Sequence, residues 1–176
     1  MEFIHKNTSL LDSISKLRVP NVFKYMKQLK HLYLPRKYEV RGKLELANLS
    51  YLQTLVNVQP KTIQIPRWFE LNRLRVLKVR NDKQGLRAQD AMQMLISRCP
   101  LVEKLNLYHR IKKLPETHQF SPNLAKLTLD GTRLEENPMP TLEKLPNLKI
   151  LCLICHWDVP FLGKDMVCSK GGFPLL

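Results

Sequence analysis

The sequence has no long run of apolar residues. Its longest apolar stretches span only a few residues, as in Leu151-Cys-Leu-Ile-Cys155, whereas a helix needs about 20 apolar residues to cross a membrane. The first residues, Met-Glu-Phe-Ile-His-Lys-Asn, are not followed by the apolar core of a secretory signal. We therefore predict that the chain has no transmembrane segment and that it is cytoplasmic.

Cysteine is scarce as well. The four cysteines are expected to be reduced thiols, because disulfide frameworks accompany secretion. Cys152, Cys155 and His156 form a Cys-x-x-Cys-His motif, which could suggest a metal or redox site. Zinc normally takes four ligands, however, and no second Cys/His pair lies at a suitable spacing. We therefore expect no metal site.

The glycine-rich loop Gly-x-x-x-x-Gly-Lys-Ser/Thr, which holds the phosphates of a nucleotide, is missing. Gly42-Lys43 and Gly163-Lys164 are isolated pairs without the first glycine or the hydroxyl residue. The five histidines have no companion serine or carboxylate in a recurrent arrangement. We expect no cofactor, no catalytic residue and no enzymatic activity.

Acidic residues are few in comparison with basic ones. The chain holds 29 Lys and Arg against 15 Asp and Glu, a net charge of +14. Residues 1–100 hold 19 basic and 7 acidic residues, a net charge of +12, while residues 101–176 hold 10 and 8, a net charge of +2. Nucleic acid, an anionic membrane or an acidic protein surface could each bind such a first half.

What the sequence does contain is an internal repeat. Its pattern is an apolar residue, two others, Leu, two others, Leu, one other and an apolar residue, as in Leu71-Asn-Arg-Leu74-Arg-Val-Leu77-Lys-Val79. Six central leucines recur at intervals of 23, 22, 28, 22 and 24 residues: Leu32, Leu55, Leu77, Leu105, Leu127 and Leu151. Repeats of this length predict an array of short, stacked structural units.

The Leu-x-Leu pair alternates as a strand does, so both leucines point to one side. Stacked strands predict an α/β leucine-rich-repeat solenoid, with a curved parallel sheet on the concave face and short helices or irregular segments on the convex face. The residues from Ala88 to Cys99 favour an outer helix, in which Ala91, Met94, Leu95 and Arg98 would share one face. This helix explains the longer interval of 28 residues.

Asn57 departs from the repeat, because the other repeats have Leu or Val at its position. We interpret it as a tolerated polar substitution that bonds to a neighbouring backbone group. A ligand contact is less favoured, because a side chain at that position should point inward.

The predicted organisation has three parts. Residues 1–18 are an N-terminal cap or the remnant of a preceding segment, and the stretch from Ser9 to Leu17 is typical of a short helix. Residues 19–170 form the leucine-rich-repeat domain of about six repeats. Residues 171–176 read as the start of a further, truncated repeat.

The amino-acid sequences of the repeats resemble those of one known family. The phrases are Val19-Pro-Asn-Val-Phe, Met26-Lys-Gln-Leu-Lys-His-Leu-Tyr-Leu-Pro35, Leu46-Ala-Asn-Leu-Ser-Tyr-Leu-Gln-Thr-Leu-Val-Asn57, Pro122-Asn-Leu-Ala-Lys-Leu-Thr-Leu129, Pro138-Met-Pro-Thr-Leu-Glu-Lys-Leu-Pro-Asn-Leu148 and Gly163-Lys-Asp-Met-Val-Cys-Ser-Lys-Gly-Gly-Phe-Pro174. They look like the plant intracellular nucleotide-binding leucine-rich-repeat disease-resistance proteins, in the class with an N-terminal coiled coil. The resemblance covers the leucine-rich-repeat region only.

Strand positions that point away from the core should form three columns on the concave face. The first is His31, Thr54, Val76, Lys104, Lys126 and Ile150. The second is Tyr33, Val56, Lys78, Asn106, Thr128 and Cys152. The third is Pro35, Val58, Arg80, Tyr108, Asp130 and Ile154.

From these columns we predict the partner-binding residues, namely His31, Tyr33, Lys78, Arg80, Lys104, Asn106, Tyr108, Lys126, Thr128 and Asp130. The basic side chains among them gather in the middle of the array and favour an acidic partner. Tyr33 and Tyr108 are the preferred aromatic contacts, because Tyr is enriched at interface hot spots.

The resemblance implies two uses for such a surface. In the family, early repeats fold back on the nucleotide-binding portion and hold it inactive, and later repeats recognise pathogen molecules or guarded host proteins. The expected partners are therefore the acidic surface of a nucleotide-binding domain and a pathogen effector or host protein. We assign the docking to the basic first half and the recognition to the second half.

Two alternatives remain open. The high net charge suits a basic solenoid that binds nucleic acid, although no recognised nucleic-acid-binding module is present, so that nucleic acid is not the expected partner. A leucine-rich-repeat scaffold or adaptor unrelated to immunity is the other alternative. It would need a helical adaptor-binding segment upstream, and none is visible.

Overall fold

The molecule is organised around a parallel sheet of six strands. The computed structural model describes residues 17–80, 86–108, 111–154 and 168–175. The strands are β1 (Leu17–Val19), β2 (His31–Tyr33), β3 (Tyr38–Val40), β4 (Leu44–Glu45), β5 (Thr54–Val58), β6 (Ile63–Gln64), β7 (Val76–Arg80), β8 (Lys104–Tyr108), β9 (Lys126–Asp130) and β10 (Ile150–Ile154). The six-stranded sheet has the order β10-β9-β8-β7-β5-β2, so each repeat adds one strand beside the previous one.

The predicted repeat matches the register of this sheet. The central leucines are direct partners from strand to strand, in the order Leu32, Leu55, Leu77, Leu105, Leu127 and Leu151. The intervals differ from 22 to 28 residues, so the extra residues must be accommodated in the segments between the strands. An α/β fold with a parallel sheet and few helices results, which is compatible with leucine-rich repeats.

The aliphatic positions of the repeat share one core. The central leucines of the first five repeats are at most 3% exposed, while Leu151 and Leu153 of the sixth are partly buried and pack against the same core. Each Leu side chain that is fully buried contributes about 1.5–3 kcal/mol relative to an exposed one. Because two or three such leucines occur per repeat, the core runs through the whole array.

The same pair of backbone hydrogen bonds recurs at the start of β5, β7, β8, β9 and β10. The carbonyl oxygen of Lys30 accepts hydrogen bonds from the N–H groups of Gln53 (2.7 Å) and Thr54 (3.0 Å) in the next repeat. The same double acceptance occurs at four further carbonyls: those of Gln53, Arg75, Glu103 and Ala125. These bonds set the register before the ladder begins, so leucines at equivalent positions meet.

The segments that return from one strand of the sheet to the next contain more regular structure than the sequence predicted. Strand β1 pairs with β3, and β4 pairs with β6, so two additional two-stranded parallel sheets form. Three 3₁₀ turns also lie in these segments or beside them: Phe23–Tyr25, Pro60–Thr62 and Thr117–Gln119. Paired strands this short have no detectable alternation in sequence, because two or three residues are too few to show a period of two.

A buried tyrosine connects the first two return segments. The hydroxyl of Tyr38, a residue only 4% exposed, accepts a hydrogen bond from the N–H of Gln59 at 3.0 Å and lies 3.1 Å from Thr62 Oγ1. Because Thr62 Oγ1 donates its own proton to the carbonyl of Gln59 at 2.7 Å, Tyr38 must be the donor to Thr62. All three groups are thereby satisfied inside the protein.

The predicted outer helix is present, with a different buried face. Helix α1 (Leu86–Ser97) packs against the 3₁₀ turns on either side of it, and a short helix, α2 (Met139–Leu142), follows later. The residues of the α1 segment that face the core are Met92, Leu95, Ile96 and Cys99. The predicted face was wrong by one residue, since Met94 is 43% exposed and Arg98 is only partly buried. Both sets have helical spacing, and packing decides between them.

A second correction concerns Val58. The pairing of β5 with β7 shifts between Leu55 and Val58, so that Val58 and not Asn57 is the partner of Val79. Asn57 bulges out with φ 60°, a left-handed conformation that Asn tolerates better than most residues. Val58 is therefore fully buried, and its predicted place in the third outward column was wrong. The interpretation of Asn57 as a residue bonded to neighbouring backbone is confirmed.

The ends of the chain are only partly described. The predicted helix from Ser9 to Leu17 falls almost entirely in residues 1–16, outside the described part, so the boundary at residue 18 remains a prediction. None of the helices in the described ranges is long and apolar enough to cross a membrane.

A candidate protein-interaction surface

The outward side chains of the six-stranded sheet form a surface that we call the sheet face. Its first column is continuous, because each residue pairs directly with the next across all six strands: His31, Thr54, Val76, Lys104, Lys126 and Ile150. The predicted alignment of this column is confirmed. His31 Nδ1 lies 3.1 Å from Thr54 Oγ1, so the first two positions are also joined by a hydrogen bond.

The second and third columns are interrupted at the bulge. Tyr33 pairs with Val56, but the continuous part of the second column is Lys78, Asn106, Thr128 and Cys152. The third column is continuous as Arg80, Tyr108, Asp130 and Ile154. Pro35 lies beyond the end of β2. Because of the extra residue in β5, the second and third columns of the first two repeats are not in register with those of the last four.

The predicted contact residues differ in accessibility. Lys104 is exposed and Tyr33 is 40% exposed. Seven others are partly exposed: His31, Lys78, Arg80, Asn106, Tyr108, Lys126 and Asp130. Thr128 is only 6% exposed, so it offers little contact area. The remaining nine can meet a partner, and their role in binding stays a prediction.

Four basic residues on three adjacent strands form what we call the basic strip: Lys78, Arg80, Lys104 and Lys126. Lys104 and Lys126 are direct register partners, and neighbouring strands lie about 4.8 Å apart. Two ammonium groups held about as far apart as the strands would repel by about 1 kcal/mol even in water. An acidic partner would relieve this repulsion.

The basic strip is displaced from where the charge count of the sequence suggested. The sheet-face positions of the first two repeats hold no Lys or Arg: β2 has His31 and Tyr33 there, and β5 has Thr54 and Val56, which are only 8% and 9% exposed. The strip instead occupies repeats three to five. Most basic residues of the first half lie in the return segments or in the turns that precede the strands. The net charge of a stretch of sequence does not show which basic residues lie on the sheet face and which lie in the return segments.

The cysteines differ in their surroundings. Cys99 is buried, which raises the pKa of its thiol from 9.0 to about 12, and its Sγ donates to the carbonyl of Leu95 at 3.1 Å. Cys152 is partly exposed on β10, and Cys168 is exposed. Cys155 and His156 of the Cys-x-x-Cys-His motif lie outside the described residues. In the described part of the chain, no three His, Cys, Asp or Glu residues are grouped to hold a metal ion.

One contact of the C-terminal segment was not visible in the sequence. Both carboxylate oxygens of Glu143, just after α2, accept hydrogen bonds from Ser169, from its N–H at 2.7 Å and from its hydroxyl at 2.8 Å. These bonds lower the pKa of Glu143, the backbone bond being the main cause. The N–H of Phe173 also donates to the carbonyl of Glu143. Residues 168–175 are thereby held against the return segment of the fifth repeat.

No protein-family model matches the chain, and no solved structure matches it. It is nevertheless similar to several proteins of Arabidopsis thaliana. Disease resistance protein RPP8 is 34% identical over 94% of this chain and 21% of its own length. Probable disease resistance RPP8-like protein 2 is 35% identical over 91% of this chain and 20% of its own length. Probable disease resistance protein RF9 is 36% identical over 98% and 18%.

These similarities confirm the resemblance to plant disease-resistance proteins that the repeat sequences indicated. They extend along nearly the whole chain, including both the sheet and the return segments. The chain spans about a fifth of the length of the curated relatives it matches.

Proposed function

The chain is similar over more than nine-tenths of its length to one region of plant disease resistance proteins, and on this premise we propose that it is a protein-binding module of an immune receptor. We propose that its stacked repeats form a leucine-rich-repeat solenoid whose concave side is the sheet face. The module acts by binding and not by catalysis. The in-register columns of the sheet support this proposal, because they present side chains from several repeats to one partner.

Within this role, the basic strip is the site of intramolecular docking. Lys78, Lys104 and Lys126 come from three adjacent strands, and Lys104 and Lys126 face each other across the ladder. This arrangement fits an acidic surface, such as that expected on the nucleotide-binding domain of a full-length receptor of this family. Charge complementarity of this kind determines orientation and partner choice more than it determines the total affinity. Docking of the strip would hold the receptor inactive.

Recognition of a pathogen effector or of a guarded host protein is assigned to the later positions of the same face. Tyr108 and Asp130 are direct partners on β8 and β9, and Ile154 continues this column on β10, where it is 43% exposed. Tyr108 lies between Arg80 of β7 and Asp130 of β9, and Ile154 follows Asp130, so this column offers the mixed contacts that protein interfaces use. The assignment separates a basic part of the face, which binds within the receptor, from a mixed part, which binds a foreign or host protein.

The experiment compares two triple variants with the same change in charge. Lys78→Glu, Arg80→Glu and Lys104→Glu alter the sheet face, whereas Arg41→Glu, Lys43→Glu and Lys61→Glu alter exposed positions in the return segments. Affinity for the purified nucleotide-binding domain of a full-length relative is measured by calorimetry. We expect at least a tenfold loss, about 1.4 kcal/mol, for the sheet-face variant alone. Unchanged affinity of that variant, or equal losses in both, contradicts docking through the strip.

Nucleic acid remains the competing partner for the same strip, because phosphates would also neutralise it. Electrophoretic mobility-shift measurements with duplex and single-stranded probes at physiological salt distinguish the two. The proposal expects no shift at protein concentrations that saturate the nucleotide-binding domain. A shift that is abolished in the sheet-face triple variant would assign the strip to nucleic acid.

A further inference from the structure

A second basic surface lies away from the sheet face. Five exposed residues of β1 and of the first two return segments form what we call the return-side patch: Arg18, Lys37, Arg41, Lys43 and Lys61. The sequence does not show them as one group, because they are spread over more than forty positions. Nothing in the proposed docking through the basic strip uses them.

Strand pairing brings these residues together. Arg18 of β1 is the register partner of Glu39 in β3, which lies between Lys37 and Arg41 along the chain. Next to them, β4 pairs with β6, and the Lys43 ammonium group donates a hydrogen bond to the carbonyl of Lys61. Glu39 and Glu45 are the two acidic residues of these four strands, and Glu45 forms an ion pair with Lys24, so the patch as a whole keeps a net positive charge.

Exposed apolar side chains accompany the basic ones in the same part of the chain. Tyr25 is 76% exposed and follows Lys24, whose ammonium group lies 5.4 Å from the centre of the tyrosine ring. Trp68 is 78% exposed and follows Arg67. Leu17 is 52% exposed and precedes Arg18. Leu17 lies in β1, Tyr25 lies in the 3₁₀ turn that follows β1, and Trp68 lies in the turn that follows β6.

This combination selects among the possible anionic partners. Sequence-specific recognition of double-stranded nucleic acid needs a helix or a β-ribbon that enters a groove. The patch instead consists of short parallel strands and the turns beside them. Single strands could stack their bases on Tyr25 and Trp68, but they would offer no apolar surroundings to Leu17, which is 52% exposed. A purely acidic protein surface would leave Tyr25 and Trp68 without apolar surroundings.

We propose that the return-side patch binds the surface of an anionic phospholipid bilayer. Clusters of Lys and Arg bind acidic headgroups, and Trp and Tyr are the side chains favoured at the boundary between headgroups and hydrocarbon. Tyr25 and Trp68 enter the headgroup layer while the lysines and arginines contact phosphate and carboxylate groups. The residues of the sheet face belong to other strands and stay available to a protein partner.

Co-sedimentation with vesicles tests the proposal on the full chain. The vesicles contain phosphatidylcholine alone or phosphatidylcholine mixed with phosphatidylserine, and binding is expected only to the mixed ones. Lys43→Glu with Lys61→Glu should reduce this binding by roughly tenfold or more. The matched control, Lys104→Glu with Lys126→Glu, changes the net charge equally and should bind like the unchanged chain. Circular dichroism verifies that both double variants fold.

A fluorescence measurement reports on Trp68 directly. The chain has two tryptophans, Trp68 and Trp157, so Trp157→Phe leaves Trp68 as the sole emitter. Its emission should shift to shorter wavelength when vesicles with phosphatidylserine are added and should not shift with phosphatidylcholine alone. The proposal is overturned if the unchanged chain ignores the acidic vesicles, if both double variants lose binding equally, or if the Trp68 emission stays constant. Preferential retention of the chain on single-stranded RNA in competition with the vesicles would also overturn it.

Discussion

The side-chain amide of Asn57 donates a hydrogen bond of 2.9 Å to the backbone carbonyl of Leu34, which directly follows the neighbouring strand β2. Asn57 adopts φ 60° in the bulge of β5, and the next residue, Val58, is buried in the core. The bulge at Asn57 thereby shifts the register of Val58, the last residue of β5, against β7.

The first prediction concerns this bulge. Asn57→Leu restores the repeat pattern in the sequence, yet we expect it to lower the free energy of unfolding by about 1–3 kcal/mol. A bulky residue in the left-handed region costs about 1–2 kcal/mol, and the hydrogen bond to Leu34 is lost. Asn57→Gly, which loses the bond but accepts the backbone conformation, should be less harmful. Urea unfolding measures both, and a leucine variant at least as stable as the parent would show that Asn57 occupies a core position.

This bulge also marks how far the sequence could predict the fold. The six central leucines determine strand positions because burying each one contributes more than any local preference. By contrast, an inserted residue within β5 leaves the leucine spacing of that repeat unchanged, so Val58 was assigned to the wrong side. The face of α1 was misplaced by one residue for a similar reason, since two sets of apolar residues fit the helical period. Only packing against the neighbouring turns favours Met92 over Met94.

The candidate site was predictable to the same degree. Where the strands have equal length, as from β7 to β10, the register puts Lys78, Lys104 and Lys126 on the sheet face as expected. The burial of Thr128 could not be foreseen, because the repeat pattern predicts the side of the sheet on which a residue lies and not how much of its side chain is covered. The return-side patch depends on pairing between strands of two or three residues, which leave no periodic signal in a sequence.

Tyr38→Phe should destabilise the protein by about 1–3 kcal/mol, because it removes the acceptor of the buried Gln59 N–H and leaves that donor unsatisfied. The Tyr33→Phe control removes a hydroxyl from a residue that is 40% exposed and should change stability by less than about 0.5 kcal/mol. Thermal or urea unfolding measures the difference. Equal stabilities of the two variants would be inconsistent with the hydrogen-bonded ring of Tyr38, Thr62 and Gln59.

The thiols should react very differently with iodoacetamide at neutral pH. Cys168 is exposed and should be alkylated, whereas Cys99 is buried with its pKa raised to about 12 and should stay unmodified until the protein is unfolded. Because the folded pKa is higher than the unfolded value of 9.0, burial of the neutral thiol stabilises the fold below pH 9, and this contribution declines as the pH rises towards 12. Peptide mass spectrometry with and without denaturant measures the labelling. Rapid alkylation of Cys99 in the folded chain would contradict its place in the core.

Glu143→Ala should release residues 168–175 from the return segment beside α2, because Ser169 loses both of its carboxylate acceptors. Hydrogen exchange of peptides from this segment is expected to become faster, while Glu136→Ala, which removes another exposed glutamate, should leave it unchanged. In the parent chain the same protection should disappear as the pH falls below 4.5, since a lowered pKa stabilises the folded form only while the carboxylate is charged. Identical exchange in both variants would rule out Glu143 as the group that holds the segment.

The basic strip depends on one arrangement, in which the stacked leucines leave Lys104 and Lys126 side by side on the surface. The most direct measurement is the free energy of unfolding of Lys126→Glu, which replaces a repulsive cross-strand pair by an attractive one. With Lys27→Glu as the control for net charge, we expect Lys126→Glu to be more stable by about 0.5–1 kcal/mol at low salt, with the gain reduced by added salt. If Lys126→Glu is no more stable than the control, or is less stable, the two lysines do not face each other and the proposed basic strip does not exist.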